Sequence, residues 1–267
     1  MALILPVTRD EIKVYEVIIT SFDGTPIPSL LFIPSKPLLG TVLFYHGHGS
    51  NYKKAAFDFY AYTHGFGYLG ASMGFAVLVP EVRTFGDAIP KKVHSKAAQK
   101  YWEKQTPLIG TFVKDAMVME DFLKNNVSVF LFSKQEPPTY RVIAGVSLGG
   151  QIALNTGALD ERFDLVSTHG AFYGYEVLFT NQHCYCQWVP KLLGKANIFD
   201  VGFLVYPRTL HVGMGAKERY YNDYSKSAIK HLSGIDWKNL YIEIGPESGH
   251  ELIGYGKKIY DIVTEKK

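Results

Sequence analysis

The stretch Arg141–Leu159, RVIAGVSLGGQIALNTGAL, decides how the chain is read. It opens with a short apolar run, Arg141–Val146, of the kind that forms a strand buried on both faces. It closes with a run, Gly149–Leu159, that continues as a helix. Between them lies Gly145-Val-Ser147-Leu-Gly149, with Gly150 beyond it. A serine on a tight strand-to-helix turn presents its hydroxyl outward, and glycines on either side let the crowded backbone through. Ser147 is therefore the candidate nucleophile. A second copy of the same pattern, Gly70-Ala-Ser72-Met-Gly74, has the opposite context, with helix and loop before it and a strand, Phe75–Val79, after it. Ser72 is accordingly expected to sit in the closing turn of a helix, with Gly70 and Gly74 as stop signals.

Working outward, the runs Thr41–Tyr45, Phe75–Val79, Arg141–Val146, Asp164–Thr168, Thr209–Met214 and Asn239–Ile244 are short and mostly apolar. Lys13–Thr20 alternates, and Pro28–Ile33 follows it across a turn at Asp23-Gly24-Thr25, which predicts an antiparallel pair at a sheet edge. Helical patterns fill the intervals at Phe112–Asn125, Gly149–Leu159, Tyr224–Leu232 and Glu251–Val263. Strand and helix in alternation predict an α/β fold, a doubly wound and mostly parallel eight-stranded sheet with an antiparallel N-terminal edge. Residues 1–267 are expected to form a single domain, with longer irregular, pocket-forming insertions near 85–110 and 172–204.

Composition limits the functional classes. Lys plus Arg is 28 against 25 Asp plus Glu, a net charge of +3 that gives no reason to expect a nucleic-acid partner. No apolar run reaches the roughly 18–20 residues that span a bilayer, and the N-terminus lacks the layout of a signal peptide, so no membrane partner and a cytoplasmic location are expected. Cys184 and Cys186 are the only cysteines. Two thiols so close predict no disulfide framework, and they are read as small buried hydrophobes. A metal reading built on His46 and His48 with His169 or His211 is set aside because no carboxylate motif at ligand spacing accompanies them. Neither metal nor cofactor is expected.

The remaining chemistry falls at strand ends. Thr41–Tyr45 runs into His46-Gly47-His48-Gly49-Ser50, where a backbone N–H can stand beside a substrate carbonyl. The His48 N–H is nominated, with Gly49 next, and the Leu148 N–H is the second oxyanion donor. His250 follows the last strand and is the candidate base. Glu218, three residues beyond Gly215, is the candidate acid that orients it, with Asp223 as the alternative. His211 inside a strand is expected in the core, and His94 and His231 are expected in ordinary surface stretches.

These residues resemble an α/β-hydrolase of the dienelactone hydrolase and acetyl xylan esterase-like group. Pro80-Glu-Val-Arg83-Thr-Phe-Gly86 is similar to that group's turn after its fourth strand. The run His183-Cys-Tyr-Cys186, Val189-Pro-Lys-Leu-Leu193 and Tyr206-Pro-Arg-Thr-Leu210 is similar to a characteristic stretch of the esterase-like members, as is Ala158-Leu-Asp160-Glu-Arg162. Thr84, Tyr206 and Thr209 depart from the pattern, and Glu218 stands where aspartate is usual. The resemblance implies hydrolysis of a small or carbohydrate-linked, acetyl-type ester without a cofactor. Alternatives are a catalytically silent binding protein on the same fold, or a peptidase or acyltransferase using the same residues.

Overall fold

The computed structural model describes residues 3–5, 11–86, 91–132, 135–177, 183–189, 192, 194–219 and 225–266. Nine strands form one mixed sheet: β1 (Leu3–Leu5), β2 (Ile12–Thr20), β3 (Pro26–Pro34), β4 (Gly40–Tyr45), β5 (Phe75–Pro80), β6 (Arg141–Val146), β7 (Leu165–His169), β8 (Thr209–Gly215) and β9 (Leu240–Gly245). Their order is β1-β2-β3-β5-β4-β6-β7-β8-β9. The first three strands and the β3–β5 pair are antiparallel, and every pair from β5–β4 through β9 is parallel. The eight expected strands are all present, and the three-residue β1 extends the antiparallel edge.

The helices are α1 (Tyr52–Phe57), α2 (Phe66–Ser72), α3 (Lys91–Glu103), α4 (Leu108–Phe130), α5 (Leu148–Leu159), α6 (Ile198–Phe203), α7 (Lys226–Ser233) and α8 (Lys257–Glu265). Residue parity along the strands divides the core in two. Leu43, Tyr45, Leu78 and Ile143 pack with Phe112, Met119 and Leu123 of α4 and with Ile152 of α5. Val42, Phe44, Val77 and Ala144 face the other way, toward Phe66 of α2 and Ile259 and Ile262 of α8. Strands covered on both faces need apolar residues at every position, which is why they show no alternation. Each such side chain, fully buried, contributes about 1.5–3 kcal/mol.

Three motifs quoted above carry structural arginines. The Arg208 guanidinium donates to the carbonyls of Gly157, Asp160 and Phe163, capping the otherwise unpaired end of α5. Arg162 pairs with Asp160 (2.6 Å) and Asp121. Arg83 grips Asp115 on α4 through two N–H···O bonds of 2.6 and 2.7 Å and also reaches Asp23 at 2.7 Å, tying the turn after β5 to a helix and to the β2–β3 hairpin.

Two expectations are corrected. The stretch 85–110 is not irregular, because it carries α3, 13 residues long. Its mean hydropathy is low and its apolar residues are sparse, so few positions mark its inner face in the sequence. The last helix starts at Lys257, later than Glu251, because Gly254, Tyr255 and Gly256 have positive φ and hold a 3₁₀ turn ahead of it. Among the described residues no helix is long and apolar enough to cross a membrane.

Strand order reverses at β4, whose neighbours are β5 on one side and β6 on the other. Adjacent connections leave such a switch point in opposite directions and open a crevice at the strands' carboxyl ends. The loop after β4 and the turn after β6 both border it.

Candidate active site

Ser147 connects β6 to α5 with φ 62° and ψ −126°. A residue bearing a Cβ pays about 1–3 kcal/mol for such a backbone. Its surroundings hold it there: the Ser147 N–H donates to the His169 carbonyl on β7 at 2.8 Å. The flanking glycines are required by contact with β4. A Cβ on Gly149 would lie 2.1 Å from the Tyr45 carbonyl oxygen, and one on Gly145 would lie 2.4 Å from the Gly149 backbone. α5 begins at Leu148, so the Leu148 N–H has no acceptor within the helix.

Glu218 and His250 are brought together by stitching between two loops. The Ala216 N–H donates to the Gly245 carbonyl at 2.8 Å and the Lys217 N–H to the Ser248 carbonyl at 3.0 Å, while Glu218 closes its own turn onto Gly215 at 3.1 Å. The result is a Glu218 Oε1 to His250 Nδ1 distance of 2.6 Å. The carboxylate is buried and the imidazole 41% exposed, so one ring nitrogen is committed to the acid and the other is open to the cavity. Gly170 packs against the pair, and a Cβ there would meet His250 Nδ1 at 3.1 Å. The alternative acid, Asp223, lies outside the described residues.

The loop after β4 is held rigidly. His46 is fully buried, its Nδ1–H donates to the Gly47 carbonyl at 2.9 Å, and its Nε2 is 2.7 Å from Glu81 Oε1. This fixes the 47–48 peptide plane and with it the direction of the His48 N–H. The Tyr62 hydroxyl accepts the Gly47 N–H at 2.8 Å and donates to the His48 carbonyl at 3.3 Å. Burial pushes the Tyr62 pKa up to about 12, so it stays a neutral phenol. Gly47 lies against the Ser147 turn, where a Cβ would be 2.6 Å from Ser147 Cβ and 3.0 Å from the Leu148 nitrogen. Tyr62, 15 residues from Gly47 (62 − 47), gave no signal in the sequence, and Glu81, 34 residues away (81 − 47), stood out only as part of the Pro80–Gly86 turn.

Ser147, Glu218 and His250 line one cavity of about 520 Å³ with His48, Tyr173 and His183. Burial also drives the His183 pKa below the ordinary value. A second cavity of about 360 Å³, lined by Phe85, His94 and Ser95 among others, shares His48 and Cys184 with the first.

The histidines considered for a metal do not meet as one set, although His169 and His211 are neighbours. His46 belongs to Glu81. His169 is buried and held neutral, its pKa driven well down by desolvation. It accepts the Ile253 N–H on Nδ1 at 3.2 Å, so its Nε2–H donates to Ser167 Oγ at 3.0 Å, and that hydroxyl donates on to His211 Nδ1 at 3.0 Å. This chain sits behind the carbonyl that receives the Ser147 N–H.

His48 has other company. Its Nε2 is 3.3 Å from Cys186 Sγ, and His94 Nε2 is 3.3 Å from Cys184 Sγ. His94 is buried, which corrects its assignment to an ordinary surface stretch: α3 turns it inward, onto the ring of Phe85 at 4.1 Å. Cys186 is buried, as expected of a small hydrophobe, and Cys184 is half-buried. A hydrogen bond from Cys186 holds the Cys184 thiol well below the ordinary thiol range, and burial pushes Cys186 well above it.

No family model and no curated protein matches this sequence. Solved structures do. The chain is similar to a dienelactone hydrolase from Anabaena variabilis (TM-score 0.61, 16% identity, 96% of each chain covered). It is similar to an acetyl xylan esterase from Paenibacillus sp. R4 (TM-score 0.57, 18% identity, 99% of this chain and 88% of that one). It is also similar to an S-formylglutathione hydrolase from Staphylococcus aureus (TM-score 0.61, 16% identity, 95% of this chain and 98% of that one). The protein has the α/β-hydrolase fold.

Proposed function

We propose that this protein is a serine carboxylesterase. The observation that carries the proposal is a strained serine and a buried-acid-to-imidazole pair lining the same cavity. In this reading the Ser147 hydroxyl attacks the ester carbonyl and its proton passes to His250 Nε2. The Nδ1–H remains bonded to Glu218 Oε1, which fixes the tautomer and stabilises the imidazolium. Charge developing on the carbonyl oxygen is received by the N–H groups of His48 and Leu148, whose directions are set by His46 and by α5. His250 returns the proton to the departing alcohol, and a water then releases the acyl group by the same route.

A cavity of about 520 Å³ suits a small substrate. The structural neighbours include an acetyl xylan esterase, which supports short acyl groups, acetyl above all, on a small or sugar alcohol. The test is hydrolysis of p-nitrophenyl acetate alongside longer aliphatic, aromatic and acetylated-sugar esters. Turnover that declines with acyl length and disappears in Ser147→Ala supports the proposal. Equal rates for wild type and Ser147→Ala defeat it.

A further inference from the structure

We propose that His48, His94, Cys184 and Cys186 form a binding site for one Zn²⁺ ion beside the cavity of the nucleophile. The four donors come from three separate parts of the chain: the loop after β4, helix α3, and the 3₁₀ turn Tyr185–Gln187 with the residue before it. Their ligand atoms all lie within 4.8 Å of one another, and they are the set of that kind among the described residues.

The geometry fits a tetrahedral ion. With Zn–S of about 2.3 Å and Zn–N of about 2.0–2.1 Å, neighbouring N and S donors stand roughly 3.6 Å apart. The two observed N–S separations are both 3.3 Å. Two thiolates and two imidazoles are a borderline-soft set that selects zinc over oxygen-seeking Mg²⁺ or Ca²⁺. An outer partner is already in place: the far nitrogen of His94, Nδ1, lies 2.7 Å from Thr84 Oγ1, which holds the ring with Nε2 toward the cysteines. Phe85 packs edge-on against His48, at 5.5 Å between centroids, and also packs against His94, so one apolar ring backs both imidazoles.

Four protein ligands fill a tetrahedral ion and leave no position for water or substrate. The ion would therefore act as a clamp. It would tie His48, whose N–H is nominated for the oxyanion, to α3 and to the Cys184–Gln187 wall of the cavity. His48 and Cys184 border both cavities, so the clamp would also hold the partition between them.

The experiment needs no knowledge of the substrate, so its outcome is independent of the esterase reading. The full chain is purified without chelator from zinc-supplemented medium and its metal is measured by plasma emission. About one zinc per chain is expected, falling below about a tenth in His94→Ala and in the Cys184→Ser/Cys186→Ser double variant, with circular dichroism verifying that each is folded. Cobalt exchanged into the wild type should show thiolate-to-metal charge transfer and the visible bands of a tetrahedral centre. Should the deletions fail to fold, Cys184→His is the second variant: it should keep the metal and lose about half the charge-transfer intensity. Three outcomes overturn the site: no zinc retained after incubation with excess metal and desalting, unchanged zinc in the folded variants, or a Cys184–Cys186 disulfide found by thiol titration of the protein as isolated.

Discussion

Gly70–Gly74 and Gly145–Gly149 are the same pentapeptide pattern in two places, and they do opposite things. In the first, Ser72 is the last residue of α2, exposed, its hydroxyl turned back onto the Tyr68 carbonyl at 3.0 Å. In the second, Ser147 stands before α5 at positive φ, facing a cavity. The glycines differ in the same way. A Cβ on Gly70 would come within 3.1–3.3 Å of the Val77 and Phe66 side chains, a crowding of a few tenths of an ångström, whereas one on Gly149 would meet the Tyr45 backbone at 2.1 Å, where no real Cβ fits. A short motif acquires meaning from the order of its neighbours: a strand entering and a helix leaving force the turn onto the sheet's rim.

The contrast can be broken by experiment, the strongest effect first. Ser147→Ala should lower kcat/KM for p-nitrophenyl acetate by on the order of 10⁴-fold or more, and Ser72→Ala should leave it within about twofold. A comparable loss at both serines would abolish the distinction. Glu218→Gln should keep the imidazole near its place but favour the wrong tautomer, costing roughly 10³–10⁴ in kcat with little change in KM. Full activity in that variant would move the acid elsewhere, Asp223 being the first place to look.

Gly149→Ala forces a backbone to move and should cost upward of about 3 kcal/mol in urea unfolding. Gly70→Ala gains about 1 kcal/mol of helix propensity against mild crowding, and its midpoint should scarcely change. The subtlest test is Ser147→Gly. Relief of the positive-φ strain should stabilise the fold by about 1–2 kcal/mol while removing activity, and a destabilised variant would show that the turn carries no strain.

The strand-to-helix turn at Ser147, Glu218 after β8 and His250 after β9 could be singled out in the sequence because each lies in a local signature anchored to a strand end. The eight main strands were legible because apolar runs between turn residues are short-range information. Helix α3 was not, since its apolar residues are few and its inner face is buried through Ala98 and against the Tyr185–Gln187 turn. His94 was lost with it. Nor could spacing reveal that Tyr62 and Glu81 hold the loop of His46–Gly49, or that two histidines 46 residues apart (94 − 48) would share a pair of cysteines.

From the order of its residues alone, this protein's alternation of strand and helix, its glycine-rich turn at Ser147 and the rim on which its polar residues gather were all determined, because backbone preference and burial period act over a few residues. Tertiary structure alone decided which side chains from distant loops meet there. Convergence of His48, His94, Cys184 and Cys186, or of Glu218 with His250, depends on how a twisted sheet folds its connections over one edge, and no local period encodes that meeting.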